Sequence, residues 1–163
     1  MDVHSSEGIY ALKDLTYTFE PDSIYGSDRS KMNRCTRLYA DKSVHRFQLG
    51  AGIYKSGSWV SGGCNERRSH ARLHPYREAL HAEQVAIMSA RCDIEGATLY
   101  VCRLAGPVRM LAKPCFWCMH LIRRHNIYRV VYTDYGDKIT SFKTSTVDIA
   151  DIESIDVGMR VAV

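Results

Sequence analysis

Two short segments of the sequence carry side chains that bind metals or transfer protons. The first is the His-Ala-Glu triplet at 81–83, and the second is the Pro-Cys-Phe-Trp-Cys segment at 114–118. Each opens an apolar stretch that is predicted to form a buried helix. The two cysteines of the second segment are at positions i and i+3, so both sulfurs project from one face of a first helical turn. The partial positive charge of a helix N-terminus favours their thiolate form.

Cys115, Cys118 and His81 form a ligand set typical of a catalytic zinc centre. Two thiolates and one imidazole leave the fourth tetrahedral position for water, whereas a structural zinc usually has four protein ligands. Glu83 is close enough to reach the same cavity and could accept a proton from the water that zinc activates. A Cys-x-x-Cys pair alone would equally fit buried or redox-active cysteines. Together with His-Ala-Glu it favours catalytic zinc.

This pair of segments resembles the zinc-dependent cytidine and deoxycytidylate deaminase superfamily, whose signature is H-x-E followed by P-C-x-x-C. The resemblance covers residues 44–146. It implies that His81, Cys115 and Cys118 hold zinc and that Glu83 is the general acid and base. The implied reaction is the hydrolytic loss of an amino group from a nucleic-acid base.

The resemblance also implies substrate-binding residues. Asn65, at the end of the second strand, would hold the sugar, and the backbone N–H of Ala82 would bind the carbonyl oxygen of the base. Arg67 and Arg68 belong to a basic loop at 64–78 and could contact a nucleotide phosphate, because guanidinium groups suit that role. A solvated loop without that function is the alternative.

Other chemically active side chains have weaker assignments. Cys64, His70 and His74 could hold a second, structural zinc, although only their loop spacing suggests it. Phe116 and Trp117 could stack on a base or simply pack against the sheet. The remaining cysteines are expected to be buried core thiols: Cys35, Cys92 and Cys102.

Composition narrows the class of protein. The chain has 163 residues, 45% of them hydrophobic, which suits one domain with its own core. It has no apolar run of the roughly 20 residues that cross a membrane, and its N-terminus does not resemble a signal peptide. We therefore expect a cytoplasmic protein with reduced thiols. The net charge of +4 permits anionic substrates but is small for a dedicated nucleic-acid binder.

Periodicity predicts the elements that position these residues. Residues 1–26 show no steady period and are predicted to be an irregular leader, with one deaminase-like domain at 27–163. Strand–helix–strand crossovers predict parallel neighbouring strands, and the short link at 133–138 predicts an antiparallel last strand. The expected fold is a three-layer α/β sandwich, cytidine-deaminase-like, with a mixed five-stranded sheet and helices on both faces. The expected strands are 47–53, 59–61, 97–102, 127–132 and 139–146, and the expected helices begin at Asp28 (as N-cap), 79 and 115.

The leading functional hypothesis is conversion of cytosine to uracil in a free (deoxy)cytidine nucleoside or nucleotide. One alternative is deamination of a base in single-stranded DNA or RNA, and another is an inactive, zinc-stabilised binding module. Small free-nucleoside deaminases usually have Cys at the position of His81. The deoxycytidylate and tRNA-adenosine branches share His-Ala-Glu but generally have a helix between their last two strands, which this chain lacks. The resemblance further implies a homo-oligomer.

Overall fold

The structure is a computed structural model, and it describes residues 15–66 and 80–151. None of the helices in these residues is long and apolar enough to cross a membrane. Short 3-10 helices lie at Ala40–Lys42, Tyr135–Asp137 and Thr144–Thr146. In chain order, the other elements are β1 (Tyr17–Thr18), β2 (Pro21–Asp22), α1 (Gly26–Leu38), β3 (Gln48–Lys55), β4 (Ser58–Cys64), α2 (Ala82–Ser89), β5 (Thr98–Ala105), β6 (Val108–Met110), α3 (Phe116–Arg124), β7 (Arg129–Thr133), β8 (Ile139–Lys143) and β9 (Asp148–Ile149).

The main sheet is mixed, with the strand order β2-β8-β7-β5-β3-β4 and β6 paired to β5. The predicted β3–β4 hairpin, the parallel pairing of β5 with β7 and the antiparallel return of β8 are confirmed. The other predicted parallel pair is wrong, because β5 lies antiparallel beside β3 rather than beside β4. A hairpin offers two free edges to the next strand. β5 is buried along most of its length and takes the inner position, which leaves the glycine-rich β4 at the edge.

The sheet has seven strands rather than the predicted five. The two that the sequence did not indicate are β2 and β6, which have two and three residues. Strands this short cannot show a period of two. A separate two-stranded ribbon joins β1 to β9. The described part of the segment predicted as an irregular leader, residues 15–26, therefore contains two strands.

Helices cover both faces of the sheet, as predicted. The side chains of β5 alternate between the two faces, and they pack beneath different helices on each. Leu99 and Val101 belong to the core beneath α2 and α3. Tyr100 and Cys102, which alternate with them, pack in a second core beneath α1. The α/β sandwich therefore has three layers, with the sheet in the middle.

The burial of the three cysteines predicted to be core thiols differs from the prediction at Cys92. Cys35 and Cys102 are buried, as expected, but Cys92 is exposed. The predicted second helix, from 79 to 92, would have buried Cys92 against the sheet. The observed α2 ends at Ser89, so Cys92 lies in the following loop.

A buried ion pair fixes α1 against the sheet. The helix begins at Gly26, and Asp28 is its third residue rather than its N-cap, with its carboxylate accepting a hydrogen bond from the Tyr25 N–H at 2.7 Å. The Arg129 guanidinium donates to both oxygens of Asp28, at 2.9 and 2.8 Å, and the Tyr100 hydroxyl donates at 2.7 Å. Burial raises the pKa of Asp28, but the hydrogen bonds from Arg129 and Tyr100 outweigh it and hold the pKa below the ordinary 3.8.

Replacing Asp28 with Asn is expected to lower the free energy of unfolding by about 3–5 kcal/mol, because the buried charge of Arg129 then keeps only Asp22, 3.8 Å from its Nε, as a charged partner. Since the folded-state pKa is lowered, the contribution of Asp28 is fully present above the ordinary value and is lost as the pH falls below it. Urea titrations at neutral and acidic pH measure both effects. Asp93→Asn, at an exposed pair with Lys55, is the control and should change nothing measurable. Equal stabilities of the two variants would contradict the assignment.

Candidate metal and catalytic site

The predicted metal ligands lie at the N-termini of two helices that pack on the same face of the sheet. His81 is the N-cap of α2, and Cys115 is the N-cap of α3. Both helices contribute to the core on that face, α2 through Ala86 and α3 through Met119. Cys118 lies within the first turn of α3 and is fully buried. The helices therefore bring together three ligands that are far apart in the sequence.

The two nitrogen–sulfur distances of the cluster match those of a tetrahedral zinc site. His81 Nδ1 lies 3.6 Å from Cys115 Sγ and 3.4 Å from Cys118 Sγ, and all three atoms lie within 4.8 Å of one another. Zn–N bonds of about 2.0 Å and Zn–S bonds of about 2.3 Å place the nitrogen and a sulfur about 3.5 Å apart at a tetrahedral angle. His81 and Cys115 are partly exposed, so the open side of the cluster faces away from the core.

Glu83 lies beside these three residues but is not one of the predicted metal ligands. Its side chain is almost fully buried, and its Oε2 is 4.0 Å from His81 Nδ1. Burial is the main cause that raises the pKa of the Glu83 carboxyl, and the Cys115 thiol adds to it while His81 opposes it. The carboxylate is therefore held next to the metal position, where it can take up and return a proton.

The chain just before α2 anchors His81 to the sheet. Leu80 and Glu66 exchange two backbone hydrogen bonds, at 3.0 and 2.9 Å, directly after β4 ends. The backbone N–H of His81 then donates to Gln84 Oε1 at 2.8 Å, which completes a capping box. The end of β4 thus sets the position of the histidine ligand.

Two glycines of β4 allow the helices to approach from both sides. A Cβ on Gly63 would overlap the side chain of Val85 in α2, and a Cβ on Gly62 would overlap the ring of Tyr39 on the opposite face. Only the absence of a side chain permits these distances. The Gly-Gly pair is therefore a packing requirement beneath the first turns of the site.

Asn65 continues the ladder beyond β4, with its N–H donating to Leu49 O at 3.2 Å. Its Oδ1 accepts from Ser43 Oγ at 2.7 Å and from the Leu49 N–H at 3.1 Å. Its Nδ2 donates to Phe47 O at 2.8 Å. Asn65 therefore fixes the segment that precedes β3, a role that the sequence did not indicate. Its contact with a sugar stays a prediction.

Of the other predicted substrate-binding residues, the structure describes Ala82 but not Arg67 and Arg68. Ala82 is the first residue of α2, so its backbone N–H has no acceptor within the helix and can meet a ligand. Arg67, Arg68, His70 and His74 lie outside the described residues, and with them the predicted phosphate contact and second zinc site. Phe116 is buried and packs edge-on against Trp117 and His120, which agrees with a packing role.

Tyr17 is a site neighbour that the sequence did not reveal. It is buried, and its hydroxyl donates to Pro114 O at 2.6 Å, immediately before the first cysteine ligand. Burial is the main cause that raises its pKa, followed by the nearby Glu83 and Cys115. It belongs to the segment that lacks periodicity, where no local pattern distinguishes a buried tyrosine from an exposed one.

Two clefts in the described part of the chain lie away from the metal ligands. One, of about 300 Å³, is lined by residues that follow α2 and end α3, including Asp93 and Asn126. The other, more open and of about 460 Å³, is lined by Tyr128 and Ser145 among others. No predicted zinc ligand lines either cleft. The candidate site is therefore located from the geometry of the three ligand atoms and not from the size of a cavity.

The family described as the cytidine and deoxycytidylate deaminase zinc-binding region matches residues 27–134. This match spans more than half of the chain and both motifs. The chain therefore belongs to the cytidine and deoxycytidylate deaminase family, whose zinc-binding region it matches, and His81, Cys115 and Cys118 form a group that could hold the zinc ion.

Among solved structures, the chain is similar to the dCMP deaminase of the cyanophage S-TIM5. The apo form is 21% identical with a TM-score of 0.52, covering 86% of this chain and 96% of the phage chain. The form in complex with dCMP and dUMP is 22% identical with a TM-score of 0.52, covering 69% and 85%. At these identities the likeness shows the fold, and it confirms the predicted deaminase-like architecture. No curated protein sequence matches the chain.

Proposed function

We propose that the protein hydrolyses cytosine to uracil in a free (deoxy)cytidine nucleoside or nucleotide, with zinc as its metal. The observation that carries this proposal is the position of Glu83. Its buried carboxylate lies 4.0 Å from the nitrogen of a zinc ligand, yet the three other side chains already supply the ligand set. A zinc site with a purely structural role needs no carboxylate there. The alternative of an inactive binding module is therefore disfavoured.

The side chains divide the reaction among them. Zinc, when bound, activates a water molecule for attack on the ring carbon that carries the amino group. Glu83 would take a proton from that water and give it to the ring nitrogen as the water oxygen adds to the ring carbon. It would then take the remaining proton from the added hydroxyl and give it to the amino group, which leaves as ammonia as the C–N bond breaks and the carbonyl forms. The products are the uracil carbonyl and ammonia. The Ala82 N–H orients the base through its carbonyl oxygen.

The remaining assignments concern the substrate beyond its base. Asn65 holds the sugar, and Arg67 and Arg68 contribute positive charge toward a phosphate. The family description names both cytidine and deoxycytidylate, and the cyanophage enzyme with the same fold has been solved with dCMP and dUMP. These comparisons support a pyrimidine nucleotide or nucleoside as the substrate class. A homo-oligomer in the cytoplasm remains our expectation for its state in the cell.

The test is ammonia release by the zinc-loaded protein from separate substrates. These are cytidine, deoxycytidine, their monophosphates, adenosine and a single-stranded oligonucleotide containing cytosine. We expect ammonia from the small cytosine substrates and a matching uracil product. Release from adenosine or from the oligonucleotide alone would refute the proposed substrate class. Release from none of them would refute the proposed activity.

A further inference from the structure

The ribbon of β1 and β9 lies against the segment that carries the two predicted cysteine ligands, residues 115–118, which we call the cysteine turn. On one side of the turn, the Tyr17 hydroxyl of β1 donates to Pro114 O at 2.6 Å. On the other side, His120 Nε2 donates to the carbonyl of Ala150, the residue after β9, at 2.9 Å. The ribbon therefore forms one hydrogen bond just before the cysteine turn and one just after it.

The hydrogen bond from Tyr17 acts on the peptide group at which the cysteine turn begins. The Pro114 carbonyl and the Cys115 N–H belong to one planar group, so a bond to the first orients the second. Cys115 is extended at this point, with φ at −72° and ψ at 169°. Its side chain leaves the Cα that follows this plane. The orientation of the Pro114 carbonyl thus sets the starting direction of the Cys115 thiol.

Cys115 depends on such a contact more than Cys118 does. Cys118 is fully buried in α3, where the helix backbone and the core hold it. Cys115 is the N-cap and is partly exposed. Its own carbonyl accepts the Met119 N–H at 2.9 Å, which fixes the peptide group on its helical side. Tyr17 acts on the peptide group on the other side, so both peptide groups of Cys115 are held.

Packing of its ring sets the position of the Tyr17 hydroxyl. The Tyr17 ring lies 6.1 Å from that of Phe19 and 6.4 Å from that of Phe142, centre to centre. Phe19 and Phe142 are stacked at 4.3 Å, and Phe142 is fully buried in β8. The ammonium of Lys113, the residue before Pro114, lies 4.5 Å from the centre of the Tyr17 ring. The loop that enters α3 is therefore held by Tyr17 at two consecutive residues.

Core packing alone does not account for the hydroxyl of Tyr17. A phenylalanine, as at positions 19 and 142, would fill the ring position without burying a polar group that needs a partner. The hydroxyl adds a hydrogen bond to the carbonyl of a buried residue next to a predicted metal ligand. This contact is what distinguishes tyrosine from phenylalanine at position 17.

We propose that Tyr17 is a positioning residue for zinc, which holds Cys115 in its metal-binding orientation through the Pro114 carbonyl. The inference rests on the proposed function, and it extends the metal site from two helices to the β1–β9 ribbon. Contacts that orient a metal ligand typically contribute 10- to 100-fold to metal affinity or activity. The ribbon and the zinc ion then act on the same turn, the ribbon through its backbone and the ion through its sulfurs.

The test compares Tyr17→Phe with the wild type in the full chain. The variant keeps the ring and loses the hydroxyl, and we expect its zinc affinity, measured by competition with a chelator, to fall about 10-fold. Cobalt(II) bound in place of zinc should show an altered visible absorption spectrum, because this spectrum depends on coordination geometry. Tyr54→Phe is the matched control, since it removes a hydroxyl from a buried tyrosine on the other face of the sheet. It should leave both measurements unchanged.

Thermal unfolding of the metal-free proteins separates positioning from stability. Unchanged zinc affinity and an unchanged cobalt spectrum in Tyr17→Phe would make Tyr17 a packing residue and overturn the inference. A loss of affinity that lower metal-free stability accounts for, with a wild-type cobalt spectrum, would overturn it as well. A wild type that binds no zinc has no metal to position and refutes it outright.

Ammonia release distinguishes the failure of this inference from the failure of the proposed function. If the wild type binds zinc in a way that depends on Tyr17 but releases no ammonia from any substrate, the deaminase proposal fails and the positioning role stands. If the wild type deaminates and Tyr17→Phe matches it in zinc affinity and cobalt spectrum, the positioning role fails and the deaminase proposal stands.

Discussion

Glu83→Gln is expected to reduce turnover by about 10²–10⁴-fold or more while keeping the zinc and the fold, because general acid–base catalysis is commonly of this size. The carboxylate takes part in several proton transfers, so the upper end of the range is expected. Gln has the size of Glu and can still form hydrogen bonds, but it cannot accept the proton. Since Glu83 is not among the three ligand atoms that cluster within 4.8 Å, its loss leaves the metal in place.

Three measurements on the purified variant check this: ammonia release, zinc content and thermal unfolding. Glu95→Gln, an exposed position in the loop after α2, is the control and should behave as the wild type. Near-normal deamination by Glu83→Gln would place the general base elsewhere. Loss of zinc from it would make Glu83 a structural residue.

The double variant Cys115→Ala/Cys118→Ala is expected to lose its zinc altogether, from about one ion per chain, together with ammonia release. His81 alone cannot hold the ion, since a catalytic zinc site has three protein ligands. Stability should fall as well, because the ion joins the start of α2 to the start of α3 and metal binding contributes to folding free energy.

Elemental analysis and thermal unfolding measure both losses. Cys92→Ala removes an exposed thiol outside the cluster and is the matched control, expected to keep its zinc and its activity. Stoichiometric zinc in the double variant would overturn the ligand assignment. A fully metal-free but equally stable variant would show that the ion does not hold the helices together.

The parts of the site that depend on local spacing were predictable from the sequence. His81 and Glu83 are two residues apart, and Cys115 and Cys118 are one helical turn apart, so the first turns of two helices already contain the chemistry. The apolar stretches behind them predicted the helices. Their meeting at one point follows from both helices covering the same face of the sheet. The connections β4–α2–β5 and β5–α3–β7 each join strands of the same direction and run the same way across the sheet, so right-handed crossovers place both helices on one face.

The parts that depend on distant contacts were not predictable in this way. The Arg103 guanidinium lies 4.6 Å from the centre of the Phe47 ring because β3 pairs with β5, whereas the sequence predicted β5 parallel beside β4. Tyr17 reaches Pro114 from a segment without periodicity. The strands β2 and β6 form because longer strands offer them an edge, not because of their own residues. Such features depend on the choice of strand neighbours, which no local pattern encodes.

The glycine pair of β4 has a mechanical consequence. Gly62 and Gly63 leave a single backbone thickness between Tyr39 on one side and Val85 on the other. Val85 is one helical turn from the zinc ligand His81, whose carbonyl accepts its N–H at 3.1 Å. With no side chain in between, a methyl group added at Gly63 would have to displace Val85, and with it the first turn of α2 that follows His81. The tolerance for error at the predicted histidine ligand is therefore set by a strand residue that has no chemistry of its own.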